Sequence, residues 1–250
     1  MFHVVIPARF AATRLPGKPL LDVAGRPLIE WVWRRARDSG AQSVLIATDD
    51  ERIREAASSF GAEVAMTSAS HVSGTDRIAE VAQSRGFGPE EVIVNLQGDE
   101  PLMPPALIGS LAAAVRAQAV DIATAATPLM SLREFLDPNC VKAVCAPDGR
   151  ALYFSRAPVP FPRDGARDGM PGEFAHGLRH IGIYAYRVRS LLAFSALPAT
   201  PLELKERLEQ LRALEHGMRI QVLTLKEAPP PGVDTPEDLA RVRDLLRAQR

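Results

Sequence analysis

Apolar residues along this chain come in short runs separated by amphipathic stretches, and the two patterns alternate from the N-terminus. Phe2–Pro7 is a compact apolar run and predicts a strand. Pro27–Ser39 places Leu28, Ile29, Val32 and Ala36 on one face at helical spacing, and Gly40 follows as a stop signal. Ser43–Ala47 predicts a strand, Glu51–Phe60 a helix, Glu63–Met66 a strand, Asp76–Arg85 a helix and Glu91–Leu96 a buried strand. Alternation of this kind buries strands between helices. It predicts an α/β fold with a mostly parallel central sheet and helices on both faces.

The pattern then changes. Val141–Ala146 and Ala151–Ser155 flank a Pro-Asp-Gly turn and predict a hairpin. Arg156–Gly177 is rich in Pro, Gly and charge and predicts a long loop, of a kind that is usually functional or mobile in a compact domain. Arg179–Tyr186 predicts a strand. Pro201–His216 predicts one helix with Leu204, Leu208 and Leu211 inward and Gly217 at its end. Strand Arg219–Leu225 and a helix carrying Leu239, Val242, Leu245 and Leu246 close the chain.

Composition narrows the class. The chain has 250 residues, 46% of them hydrophobic, enough for one large domain, or a main domain with a sub-domain, around a sizeable core. With 30 basic and 30 acidic residues there is no global electrostatic pull toward nucleic acid or membrane. Cys140 and Cys145 are too few for a disulfide framework, lack metal-site spacing, and predict small buried residues on a strand. The N-terminal Met-Phe-His-Val-Val-Ile-Pro-Ala-Arg lacks the basic region of a signal peptide. No segment supplies the roughly 20 apolar residues of a membrane span, since Arg116, Gln118 and Asp121 interrupt the alanine-rich stretch 106–126. A cytoplasmic protein is expected.

Four segments carry candidate chemistry. The loop Pro7–Leu20 follows the first strand and offers Arg9, Arg14 and Lys18, with Gly17 for close backbone approach. Ligands of open α/β sheets bind beyond such strand ends, and a triphosphate needs several cationic donors at once. The loop lacks Walker spacing, and a solvated basic loop is the alternative. Asn95–Pro101 ends a buried strand with Gly98-Asp99, either a Mg²⁺ carboxylate or an ordinary turn. In Gly232–Leu239, Thr235, Pro236 and Asp238 form a helix start, and Asp234 is either part of that cap or a second metal carboxylate. Arg179-His180 on a strand, with Arg156 at a strand–loop junction, suits a carboxylate ligand, though a lone histidine is more often structural.

Taken together, PARFAATRLPGKPL, ATDD, HVSGTDR, VNLQGDEP, VKAV, ALYFSRAPVPF, LRHIGIYAYR, PLELKERLEQLR and GVDTPEDL resemble the 3-deoxy-manno-octulosonate (Kdo) cytidylyltransferase family in order and spacing, over essentially the whole chain. The resemblance implies a Rossmann-like nucleotidyltransferase fold over residues 1–250, with a smaller β-rich dimerisation and sugar-binding region around 130–190. It implies a homodimer using CTP, Kdo and Mg²⁺ in lipopolysaccharide biosynthesis. By motif match, Arg9, Arg14 and Lys18 hold the triphosphate, Asp99 and Asp234 the metal, and Pro7, Ala8, Ser73, Thr75 and Arg77 line the cytosine pocket. Lys18, Arg9, Asp99 and Asp234 are then the catalytic set. Gln97, beside the nucleotide, joins Arg156, His180, Tyr184, Glu209 and Gln210 around the sugar acid. One departure is Ala12, where the family pattern has a serine hydroxyl; Arg163–Gly177 is the segment least like the family. The same chemistry on a sialic acid or an 8-amino analogue of Kdo, and a catalytically silent nucleotide-binding protein, are the rival readings.

Overall fold

The computed structural model describes residues 1–11, 15–117, 120–163 and 177–248. The chain forms two compact units: 1–113, 185–195 and 229–250 in the first, 114–184 and 196–228 in the second.

In the first unit, β1 (Phe2–Ala8), β4 (Ser43–Thr48), β5 (Glu63–Met66) and β6 (Val92–Asn95) form a parallel sheet in the order β6-β1-β4-β5. Val4, Val5 and Ile6 in β1, Ile46 and Ala47 in β4, and Val92, Ile93 and Val94 in β6 are fully buried. Consecutive buried residues of this kind mark strands covered on both faces. Helices α1 (Leu28–Arg37), α2 (Glu51–Ser59) and α3 (Gly74–Ser84) flank the sheet. A two-stranded antiparallel ribbon, β2 (Asp22–Val23) and β3 (Arg26–Pro27), precedes α1. The C-terminal helix α9 (Pro236–Ala248) buries Leu239, Val242 and Leu246 with Val23, Leu28, Leu102 and Val233.

In the second unit, β7 (Ile122–Pro128) pairs in parallel with β11 (Ile220–Thr224). β8 (Lys142–Cys145) and β9 (Ala151–Ser155) form the expected hairpin, with a register irregularity at Val144/Cys145. β8 also pairs antiparallel with β10 (Leu178–Arg187), which neighbours β7. The alanine-rich stretch 106–126 divides between α4 (Pro105–Ala117) and β7, after which comes the short α5 (Leu132–Leu136). β10 runs directly into α6 (Val188–Ser195), an element the apolar pattern does not announce.

Two local expectations are corrected. The segment predicted as one helix over 201–216 is two, α7 (Pro201–Glu206) and α8 (Glu209–Glu215), because Arg207 between them is left-handed (φ 52°, ψ 49°). Leu208 and Leu211 are buried as expected, but Leu204 is exposed on α7. The thiols are half-buried, and only Cys145 lies on a strand. Burial raises the pKa of both, Cys145 to about 11, so neither is a reactive thiolate at neutral pH. No described helix is long and apolar enough to cross a membrane.

Candidate active site

The carboxyl end of β1 opens onto a cavity of about 300 Å³ in the first unit, lined by Pro7, Ala8, Arg9, Lys18, Gln97 and Asp99 together with Ala11, Pro19, Val72, Gly74 and Gly98. Six of the residues expected at the nucleotide and metal are thus brought together from two separate segments, the Pro7–Leu20 loop and Asn95–Pro101. Arg14, with Ala12 and Thr13, lies outside the described residues, as does most of the predicted 156–177 loop.

Two close backbone approaches shape this end of the sheet. A Cβ on Gly98 would stand 2.9 Å from the Pro7 carbonyl oxygen and 3.3 Å from Ile29 Cδ1. A Cβ on Gly232 would stand 2.8 Å from Glu100 Oε1 and 2.9 Å from the Asp99 carbonyl oxygen. Both distances are below ordinary contact, so each position needs the missing side chain. The approach at Gly232 is sealed by the Val233 N–H, which donates to the Asp99 carbonyl at 2.9 Å.

That seal sets Asp234 beside Asp99. Lys18 Nζ donates to Asp99 Oδ2 at 2.7 Å, to the Val233 carbonyl at 2.9 Å and to Asp234 Oδ1 at 3.1 Å. Burial pulls the Lys18 pKa down, but Asp99 and then Asp234 outweigh it, and the net direction is up. The ammonium therefore stays charged at neutral pH. Thr235 caps α9 by accepting from the Asp238 N–H at 3.2 Å, and Asp238 accepts in turn from the Thr235 N–H at 3.0 Å. Cap and carboxylate are thus separate roles: Thr235 and Asp238 start the helix while the Asp234 side chain turns to Lys18.

Among the described residues no group of three or more His, Cys, Asp or Glu could hold a metal by itself. Asp99, Asp234 and the Val233 carbonyl nevertheless converge on one cationic nitrogen. All are hard oxygen donors, the set Mg²⁺ accepts when phosphate oxygens complete its shell.

The turn before α3 forms another wall. Arg9 Nη2 donates to the carbonyls of His71 (2.6 Å) and Ser73 (3.1 Å), so Arg9 braces this turn as well as lining the cavity. Ser73 caps α3 in a capping box with Asp76. The helix therefore starts at Gly74, two residues before the predicted start at Asp76, and Gly74 itself lines the cavity. Gly74 brings the positive end of the α3 dipole to this wall. Thr75 and Arg77 are buried on α3 and do not line the cavity. Arg77 instead bonds Thr67 and stands 3.1 Å from Asp49, a residue of the ATDD run to which sequence reasoning assigned no role. Burial lowers the Arg77 pKa and Asp49 partly restores it.

The sugar-site candidates of the second unit gather around β9, β10 and the α7–α8 bend. Arg156 Nε donates to the Glu206 carbonyl at 2.7 Å and Nη1 to the Pro138 carbonyl at 2.8 Å. Glu206 accepts from Ser155 Oγ at 2.6 Å and from the Arg156 N–H at 2.9 Å. Arg156 is thus the strut that ties the end of β9 to the end of α7, and among the described residues no hydrogen bond uses its Nη2. Glu206 was missed because a glutamate in a charged helix carries no distinguishing signal. His180 and Tyr184 project from one face of β10 with ring centroids 5.5 Å apart, and Phe154 meets the His180 ring edge-on at 4.9 Å. Burial lowers the His180 pKa to about 4 and raises that of Tyr184, with Glu209 adding to the latter. Both rings are therefore neutral at pH 7. Gln210, on α8, is buried, and among the described residues its Nε2 has no hydrogen-bond partner. An unpaired buried amide is costly and marks a place where a ligand oxygen fits.

The sequence profile of a family described as cytidylyltransferase matches residues 3–220. A 3-deoxy-manno-octulosonate cytidylyltransferase of Vibrio vulnificus is 49% identical, covering 99% of both chains. One from Pseudomonas fluorescens is 52% identical, covering 99% of this chain and 98% of its own. Among solved structures, a CMP:2-keto-3-deoxy-manno-octonic acid synthetase complexed with CTP matches with a TM-score of 0.91 at 41% identity, covering 100% of each chain.

Proposed function

The chain belongs to the cytidylyltransferase family, and from that premise we propose that it transfers CMP from CTP to the anomeric hydroxyl of 3-deoxy-manno-octulosonate, releasing pyrophosphate. The observation that carries the reading is the cation–carboxylate cluster of Lys18, Asp99 and Asp234 at the mouth of a cavity that also holds Arg9 and Gln97.

In the reaction, the anomeric oxygen of the sugar acid forms a bond to the α-phosphorus of CTP, and the bond from that phosphorus to the bridging oxygen breaks. The hydroxyl proton is lost and pyrophosphate carries the leaving charge. Positioning and charge neutralisation supply most of the acceleration in transfers of this type. Lys18 and Arg9 oppose the charge that grows on the departing phosphates. Main-chain groups of Pro7 and Ala8 and the start of α3 hold the nucleotide. Asp99 and Asp234 are the residues that would hold Mg²⁺, which supplies neutralisation of phosphate charge and lowers the pKa of a bound hydroxyl. Arg156 offers its remaining guanidinium donors to the sugar carboxylate, with His180, Tyr184, Glu209 and Gln210 toward its hydroxyls. We further propose that the enzyme works in the cytoplasm as a homodimer.

The test is pyrophosphate release with purified protein, Mg²⁺ and CTP against a panel of sugar acids. The expected result is turnover with Kdo well above that with sialic acid, and CTP strongly preferred to UTP. Uracil reverses part of cytosine's donor–acceptor pattern, and a site built of fixed polar groups rejects such a mismatch. Equal use of UTP, or preference for another sugar acid, overturns the assignment.

A further inference from the structure

The hydrogen bonds around Thr124 fix the protonation of His180. Thr124 lies on β7 and is fully buried. Its hydroxyl is 2.8 Å from the Ile183 carbonyl oxygen and 3.2 Å from the Ile181 carbonyl oxygen, both on β10. It is also 2.9 Å from His180 Nε2. A hydroxyl has one proton, and a carbonyl can only accept. The Thr124 proton is therefore committed to the β10 main chain, and at the contact with His180 the hydroxyl must accept. Nε2 carries the hydrogen. Because burial keeps the ring neutral at pH 7, Nδ1 is left with a lone pair. No described residue bonds Nδ1.

The surroundings of the ring supply a seat. Burial along β10 alternates, with Ile181, Ile183 and Ala185 buried and His180, Gly182 and Tyr184 on the opposite face. Gly182, between the two rings, is exposed, and a Cβ built on it would meet nothing within 4 Å. Gly182 therefore leaves open space on the face of β10 beside the contacting His180 and Tyr184 rings.

We infer that Thr124 is a positioning residue for the acceptor sugar: by accepting the His180 Nε2–H it fixes the tautomer whose Nδ1 takes a hydrogen bond from a sugar hydroxyl seated over Gly182. The inference rests on the proposed sugar-acid acceptor. It gives His180 a definite polarity: His180 is an acceptor for a neutral hydroxyl, and the carboxylate is left to Arg156. A carboxylate has no proton to give Nδ1, so histidine and carboxylate would repel.

The test begins with nitrogen NMR of histidine-labelled protein, with the His180 signals identified by their loss in His180→Asn. Nδ1 is expected to show the shift of an unprotonated ring nitrogen, Nε2 that of a protonated one. Titration with Kdo is expected to move the Nδ1 resonance toward that of a hydrogen-bonded acceptor. Kinetics follow on Thr124→Val and Thr124→Ser. Losing one buried hydrogen bond that orients a ligand group predicts a KM for Kdo raised about tenfold in the valine variant, with the KM for CTP nearly unchanged and serine close to wild type. Protonated Nδ1 in the wild-type protein overturns the inference. So does an equal defect in the serine and valine variants, or a matching rise in the KM for CTP, since either would make Thr124 merely structural. If no sugar acid supports turnover, the proposed function fails, while the tautomer is still decided by the spectrum of the free protein.

Discussion

At the scale of single residues, the site depends on charges that are matched locally. Lys18 stays protonated because Asp99 and Asp234 face it. Asp99→Asn keeps shape and hydrogen-bonding capacity but removes one of the two carboxylates. The expected outcome is turnover lowered by about 10²-fold or more, equivalent to several kcal/mol of lost charge stabilisation, with half-saturation by Mg²⁺ shifted upward. Steady-state rates across a Mg²⁺ titration check it, alongside a thermal melt within a few degrees of wild type. Near-normal turnover at limiting Mg²⁺ would remove Asp99 from the metal. A second residue-scale outcome concerns pH. His180 has a folded-state pKa of about 4 against an ordinary value of 6.5. Above 6.5 both folded and unfolded states hold it neutral, and its contribution is fully present. As the pH falls from 6.5 toward 4, the unfolded chain takes up the proton first and stability is lost, on the order of 3 kcal/mol over the window. Denaturant unfolding of wild type and His180→Gln across pH 7 to 4 should converge as pH falls. Parallel curves would mean that the ring is not held neutral.

At the scale of elements, much was legible and the remainder has identifiable causes. The parallel strands of the first unit announce themselves because strands covered on both faces must be continuously apolar, as Val4, Val5 and Ile6 are. The helix start at Thr235 is readable because capping is local chemistry between residues three apart. The break at Arg207 was not readable: no glycine or proline marks it, and Leu204, Leu208 and Leu211 keep helical spacing across it. It accompanies contacts distant in sequence, Glu206 with Ser155 and Arg156. Alanine-rich 106–126 hides the passage from α4 to β7 because alanine fits either element. Thr124 was hidden with it, since one threonine in such a stretch shows no role until its partners on β10 are known. The candidate nucleotide residues Pro7, Ala8, Arg9, Lys18, Gln97 and Asp99 share one cavity because they lie at or beyond the carboxyl ends of the parallel strands β1 and β6, which sequence order does reveal. Gly232 gives an element-scale prediction. Alanine there collides with Glu100 and the Asp99 carbonyl, so the segment carrying Val233 and Asp234 must retreat. Gly232→Ala is expected to cost about 1–3 kcal/mol of stability and to reduce turnover more than CTP affinity, because it separates the paired carboxylates. Urea unfolding and CTP calorimetry beside the rate assay check it, and unchanged turnover would show that the approach at Gly232 is dispensable.

At the scale of the whole molecule, a neutral formal charge gives no long-range repulsion to keep copies apart, so association is decided by surface apolarity. In the second unit Met130, Leu136, Leu152 and Phe161 are exposed, all within the 130–190 region that the family resemblance assigns to the dimer. Scattered exposed apolar residues are ordinary, but four large ones on a short stretch of chain are what a self-complementary contact would use. Burying them between two copies removes apolar area from water without disturbing the fold of either, so substitutions there should act on association before stability. The wild-type chain is expected to run in light scattering at about twice the 27.1 kDa of one chain at micromolar concentration. Leu152→Glu combined with Phe161→Glu places carboxylates on both copies at once. Like charges brought to one two-fold contact repel, and their desolvation is uncompensated. The double variant is expected to scatter as a 27.1 kDa species with a nearly unchanged circular dichroism spectrum. A wild-type monomer at these concentrations, or a double variant that remains dimeric, would place the interface elsewhere or abolish it. Turnover of the monomeric variant then reads directly whether one copy suffices for the reaction.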